Sequence, residues 1–271
     1  MENFGFIRHG HKLNSEGVNP PLEESGLTLE QQHTWKEAVV RLGIEDNPQM
    51  KYENLPLIEE LARDMYNKLP EKATVIFSST GYPRTRLTAD LISSELMKLS
   101  RGEGSKEIAV AFMWEHPDDA IKENSRTNLG NMQNEAASNQ QLLREVQKRD
   151  FPDDLDLEEY LKHGGNKTFT NEDEVLRRAV NLDLESPDSQ YKKRVDSFRE
   201  QLKNVYTSFQ DIEGPVFFYM VGHHPNLITF DVALSGRKHY DTAEEIPKPL
   251  TLWEVNKEKV EKFIDEQEQD E

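Results

Sequence analysis

Three short apolar runs in this chain each end in residues that could handle phosphate. Phe4-Gly5-Phe6-Ile7 closes with Arg8-His9-Gly10, and polar residues with Gly17, Pro20 and Pro21 follow. That is the pattern of a buried strand whose carboxyl end opens into a loop. A guanidinium grips phosphate oxygens through a rigid fork of donors. An imidazole that is neutral near pH 7 can act as a nucleophile. A structural reading also exists at this point, with Arg8 capping the strand and His9 a satisfied core histidine.

Thr74-Val75-Ile76-Phe77 is the second run and ends at Ser78-Ser79-Thr80-Gly81. Pro83 and Arg84 then open a helix marked by Leu87, Leu91 and Leu96. Arg84 beside a helix N-terminus makes a phosphate clamp, because the unpaired N–H groups there attract anions. Its structural alternative is a surface arginine on a first helical turn. The third run, 216–221, is the strongest buried-strand signal and ends in Gly222-His223-His224-Pro225-Asn226-Leu227. In open α/β sheets ligands bind off the carboxyl ends of strands, so one crevice could collect all three sets.

The remaining elements must hold those strand ends together. Thr28, with Gln31 three residues on, starts a helix that reaches about Leu42 and stops at Gly43. A second amphipathic helix is expected over 57–69, ended by Pro70. Residues 108–112 form another strand-like run. From 122 to about 189 the chain turns polar, with helical pieces at 135–148 and 172–182. Its apolar content is too thin for a separate core, so it reads as a cap inserted over the site. A long helix follows over 189–209, then the strand 216–221, a helix to about 234 and a last strand over 252–255. The tail from 258 to 271 reads as a solvated, fraying helix. Strands alternating with long helices predict a three-layer α/β/α fold with a mostly parallel central sheet. The expected organisation is one domain over 1–271, with the cap insertion at about 115–188.

Composition narrows the function. Lys and Arg number 33 against 51 Asp and Glu, a net charge of −18, which argues against a nucleic-acid backbone as partner. An anionic ligand would need a compact basic pocket inside a repulsive overall field. There is no cysteine, so disulfides, thiolate chemistry and cysteine-held metals are excluded. No run approaches the roughly 18 apolar residues of a membrane helix. No leader pattern opens the chain, and a cytoplasmic location is expected.

Taken together, Phe6-Ile7-Arg8-His9-Gly10, Gly26-Leu27-Thr28, Ser78-Ser79 with Arg84-Thr85-Arg86-Leu87-Thr88-Ala89, and Val221-Gly222-His223-His224-Pro225-Asn226-Leu227 resemble the histidine phosphatase superfamily, of phosphoglycerate-mutase-like fold. The resemblance spans most of the chain outside about 115–185. It implies a phosphatase that needs no metal or other cofactor. His9 would take the phosphoryl group as a phosphohistidine, with Arg8, Arg84 and His223 around it. Asn14, Arg86 and His224 are the further substrate-binding positions. Implied substrates are small phosphate esters or phosphorylated proteins, phosphohistidine and phosphoanhydrides included. A phosphomutase and a non-catalytic phospho-ligand-binding protein are the other readings.

Two departures stand out. The segment from Ser79 to Arg84 is one residue longer than the usual family spacing, which makes Arg86 a fallback for Arg84. The acid of the acid-phosphatase branch is also missing, because His224 occupies its position. The general acid then falls to Glu115, as in the other branch, with Asp118, Asp119 and Glu107 behind it. A metal bound by His9, His11, His223 and His224 is the competing chemistry, disfavoured because the arginines would repel a cation.

Overall fold

A computed structural model describes residues 1–11, 19–46, 48–102, 106–114, 136–151 and 172–265. In chain order the elements are β1 (Asn3–Arg8), α1 (Leu29–Leu42), α2 (Asn54–Lys68), β2 (Lys72–Ser79), α3 (Pro83–Gly102) and β3 (Glu107–Trp114). After them come α4 (Ala136–Asp150), α5 (Glu172–Glu185), α6 (Gln190–Ser208), β4 (Val216–Gly222), α7 (His224–Ser235), β5 (Leu252–Asn256) and α8 (Lys257–Asp265). The strands form one sheet in the order β3-β2-β4-β1-β5. All pairings are parallel except that of β5 with β1.

The strands bury both faces, and alternation sorts their side chains. Ile7, Val75, Phe77, Tyr219 and Val221 face α1, α2 and α3. Phe4, Phe6, Ile76, Phe218 and Met220 face the opposite layer, where Phe198, Leu202, Leu227, Phe230, Val260 and Phe263 meet them. Successive strand residues point to opposite faces, so a continuous apolar run feeds two cores at once. The molecule is a three-layer α/β/α sandwich.

Local signals set the helix ends. Thr28 Oγ1 accepts from the Gln31 backbone N–H, and the Thr28 backbone N–H donates to Gln31 Oε1, a complete capping box. Gly43 closes α1 in the left-handed region at φ 64°. The second helix begins at Asn54, three residues before the expected start, with Pro56 in the first turn where its missing N–H costs nothing. Each strand also runs one or two residues beyond its apolar core.

The helical pieces of the insertion lie at 136–150 and 172–185 and pack onto the α6/α7 layer. Val146 meets Val175 and Ala179 between α4 and α5. Leu176, Val180 and Leu184 of α5 meet Tyr191 and Ile228. The stretches 115–135 and 152–171 lie outside the described residues, as does the Gly164-Gly165 turn.

The tail departs from expectation. Val260, Phe263 and Ile264 of α8 are buried against the β1/β4 face, so the helix is amphipathic and docked. Three apolar positions spaced i, i+3, i+4 are enough for this, although charge dominates the composition.

Candidate functional site

Register places the three strand ends side by side. β4 lies between β1 and β2, with Arg8 opposite Gly222 and Ser79 opposite Val221. The ladder continues one step past the strands, through His9 N–H to the Gly222 carbonyl at 3.0 Å and Thr80 N–H to the Val221 carbonyl at 3.2 Å. Adjacent strands run about 4.8 Å apart. His9, Thr80 and His223 therefore emerge within one crevice. His223 is the N-cap of α7, with its backbone N–H held by Asn226 Oδ1 at 3.1 Å. Arg84 is the second residue of α3, so two helix N-termini point into the same space.

Gly10 makes the turn after the nucleophile candidate possible. A Cβ there would come within 2.8 Å of Met50 Sδ and 2.9 Å of Asn54 Cγ. Its amide donates to Thr88 Oγ1 at 3.2 Å. The next residue is clamped by buried Asn54, which accepts from His11 N–H at 2.7 Å and donates to the His11 carbonyl at 3.0 Å. Burial first, then the Lys51 and Arg8 cations, push the His11 imidazole below its ordinary value, and it stays neutral near pH 7.

The centre of the crevice is Arg84. Its Nε–H donates to His9 Nε2 at 3.3 Å, one Nη to Gln49 Oε1 at 3.1 Å and the other to His223 Nδ1 at 3.3 Å. Its guanidinium also sits 4.9 Å from the centroid of the Tyr82 ring. The two imidazoles are 4.8 Å apart, inclined at 70°. Tyr82, exposed at the rim, meets His223 edge-on at 5.2 Å. Burial draws the Arg84 pKa down. Among the described residues its partners are two imidazoles, an amide and a phenol, with no carboxylate. A largely buried cation left without a counter-charge is costly, and an anionic ligand removes that cost.

An arginine can only donate, so the contacts assign the tautomers. His9 Nε2 must present its lone pair to Arg84, and His9 Nδ1–H donates to the Gly10 carbonyl at 2.5 Å. The nitrogen that carries the lone pair therefore points at the clamp, as an attacking group requires.

The remaining expected site residues divide clearly. Arg8 ends β1 with its guanidinium bonded to the Pro247 carbonyl, near enough to His11 to act on it electrostatically. Arg86 lies two residues beyond Arg84, about 200° around α3, on the face of Asp90, which pairs with Arg41 of α1. Arg84 is thus the arginine that the structure brings to both histidines. Glu107 starts β3 beside Lys72, at 3.6 Å, and so lies at the opposite end of the sheet from the crevice. Asn14, Glu115, Asp118 and Asp119 lie outside the described residues, as does the side chain of His224. Trp114 pairs with Ser79, so the chain leaves β3 at the crevice edge immediately before position 115.

Among the described residues no three histidine or carboxylate side chains are grouped to hold a metal ion. A guanidinium occupies the space between the lone pairs of His9 and His223. Gln49 and Thr80 join the site without having been singled out in the sequence. Gln49 sits in a polar loop and looks like any other residue there. Its backbone is left-handed at φ 55°, as is that of Leu250 at φ 60°, whose N–H donates to the Arg8 carbonyl. Strained residues of this kind concentrate at functional sites.

Comparison with known proteins found no family model and no curated protein that matches this chain.

Proposed function

We propose that this chain is a phosphatase of the histidine phosphatase superfamily, hydrolysing phosphomonoesters, or phosphohistidine and phosphoanhydride substrates, through a covalent intermediate on His9. One observation carries the reading: a partly buried arginine with no carboxylate partner among the described residues, fixed between two histidines at the carboxyl edge of the sheet. In the proposed reaction the His9 Nε2 lone pair forms a bond to phosphorus as the bond to the leaving oxygen breaks. Arg84 and His223 stabilise the oxygens of the transferring group in a loose, in-line transition state. Arg8 is assigned to the same role from the motif it belongs to. The leaving oxygen takes a proton from a general acid, for which Glu115 is our choice. Water then attacks phosphorus, giving its proton to the carboxylate left by the first step as the bond to His9 Nε2 breaks, which releases inorganic phosphate and restores His9.

Among the described residues no helix is long and apolar enough to cross a membrane. We place the reaction in the cytoplasm, on the ground that a cysteine-free chain has no disulfide to gain from an oxidising compartment.

The test is hydrolysis of p-nitrophenyl phosphate with EDTA present, by wild type and His9→Ala side by side. Wild-type turnover and a loss of about 10³-fold or more in the variant, at an unchanged melting temperature, are expected. Equal activity of the two would overturn the mechanism. Tight phosphate or vanadate binding without turnover of any phosphate ester would show a phospho-ligand-binding protein instead.

A further inference from the structure

We propose that Thr80 is a positioning residue for His223, holding its ring in one tautomer and supporting its protonated form when a phosphoryl group is bound. The observation is a one-way chain of hydroxyl bonds. Thr85 Oγ1–H is committed to the backbone carbonyls of Thr80, at 2.6 Å, and Tyr82, at 2.8 Å. Thr80 Oγ1–H donates to Thr85 Oγ1 at 2.9 Å. Both threonines are buried, at 1% and 0% exposure, so neither proton can turn out to water. A hydroxyl has one proton to give. Toward His223 Nε2, which lies 3.4 Å away, Thr80 can therefore only accept. His223 must carry its proton on Nε2.

Arg84 reaches the same conclusion from the other side of the ring, because its Nη–H requires a lone pair on His223 Nδ1. The two histidines consequently hold opposite tautomers against one guanidinium. Such opposition suits the proposed reaction, on which the second half of this inference rests. His9 must offer a lone pair, whereas His223 can bond a phosphoryl oxygen through Nδ1 only after taking up a proton there from solvent. The imidazolium then has two N–H groups, and Thr80 already receives one. Catalytic hydrogen bonds of this kind are long in the free enzyme and tighten on binding. Among the described residues the groups facing the ring include the Arg84 cation, the His9 imidazole and the Tyr82 phenol. Arg84 opposes protonation, and a bound anion cancels that opposition. Thr80 favours protonation throughout.

The experiment follows the His223 imidazole by ¹⁵N–¹H NMR across pH, in the free protein and with inorganic phosphate, alongside p-nitrophenyl phosphate turnover. Wild type and Thr80→Ser are expected to show the Nε2–H form and the same titration midpoint. Thr80→Val, which removes the acceptor, is expected to titrate about one pH unit lower, as befits losing a hydrogen bond to a charged group. The alkaline limb of its kcat/KM profile should move down with it. Thr80→Ala serves in its place where valine does not fold. An Nδ1–H tautomer in wild type, or an unshifted midpoint in the folded variant, would overturn the proposal. Absence of turnover in wild type would sink the phosphatase reading, while the titration difference still decides the role of Thr80.

Discussion

Among the described residues Arg84 has the most informative surroundings. Its nitrogens meet His9, Gln49 and His223 rather than a carboxylate, and under the proposed function the phosphoryl group supplies the counter-charge. A lysine would carry the same charge but could not bridge two imidazoles and an amide from one plane. Arg84→Lys is therefore expected to lower kcat/KM for an aryl phosphate by about 10²- to 10³-fold. A loss below about threefold would show that charge alone suffices. At this scale the sequence was informative wherever chemistry is tied to residue type. His9 and His223 stood out at the ends of apolar runs and Arg84 at a helix start, because phosphate chemistry calls for a nucleophile and a fork of donors. Gln49 and Thr80 did not, because an amide or a hydroxyl in a loop has no type-specific signature. Their roles arise from a left-handed backbone turn and from a chain of bonds that only the fold creates.

Elements were legible where burial and capping agree. The capping box at Thr28 and the stop at Gly43 are local chemistry, and the structure keeps both ends of α1. Amphipathic segments among many charges were harder, as α8 shows. There, three apolar residues decide the docking while the charged majority decides the appearance. The insertion helices are held differently, partly by ion pairs. Glu174 of α5 accepts from Arg177 at 2.7 Å and from Arg178 at 2.8 Å, which hold its carboxyl down at about 2. A depressed carboxylate contributes stability above its unfolded value, and that contribution fades as pH falls toward the folded one. Glu174→Gln should thus cost about 0.5–1 kcal/mol in urea unfolding near neutral pH. The gap from wild type should narrow as pH drops through 4.5 toward 2. A gap independent of pH would remove the ion pairs from the account of α5.

Across the whole molecule, a net charge of −18 contrasts with the Arg84 cation in the crevice. Under the proposed function the net charge of −18 opposes the approach of phosphate at long range, while Arg84 would attract it at contact. Salt screens the first effect strongly and the partly buried second one less. Raising ionic strength from about 10 mM to about 150 mM is therefore expected to increase kcat/KM for a dianionic phosphate ester. A steady fall would mean that long-range attraction dominates approach to the site. The mostly parallel three-layer fold was readable from the alternation of strands and helices. The strand order, which puts β4 between β1 and β2, was not, because nothing local records which strand ends become neighbours. That order is what turns three separate motifs into one crevice.

The most direct test is to trap the intermediate. Wild type is mixed with an aryl phosphate, quenched in alkali within the turnover time and digested for mass spectrometry. Phosphate that survives alkali, is lost in acid and maps to the peptide bearing His9 is the predicted result. Turnover without a phosphorylated His9, or with phosphate on another residue, would contradict the account.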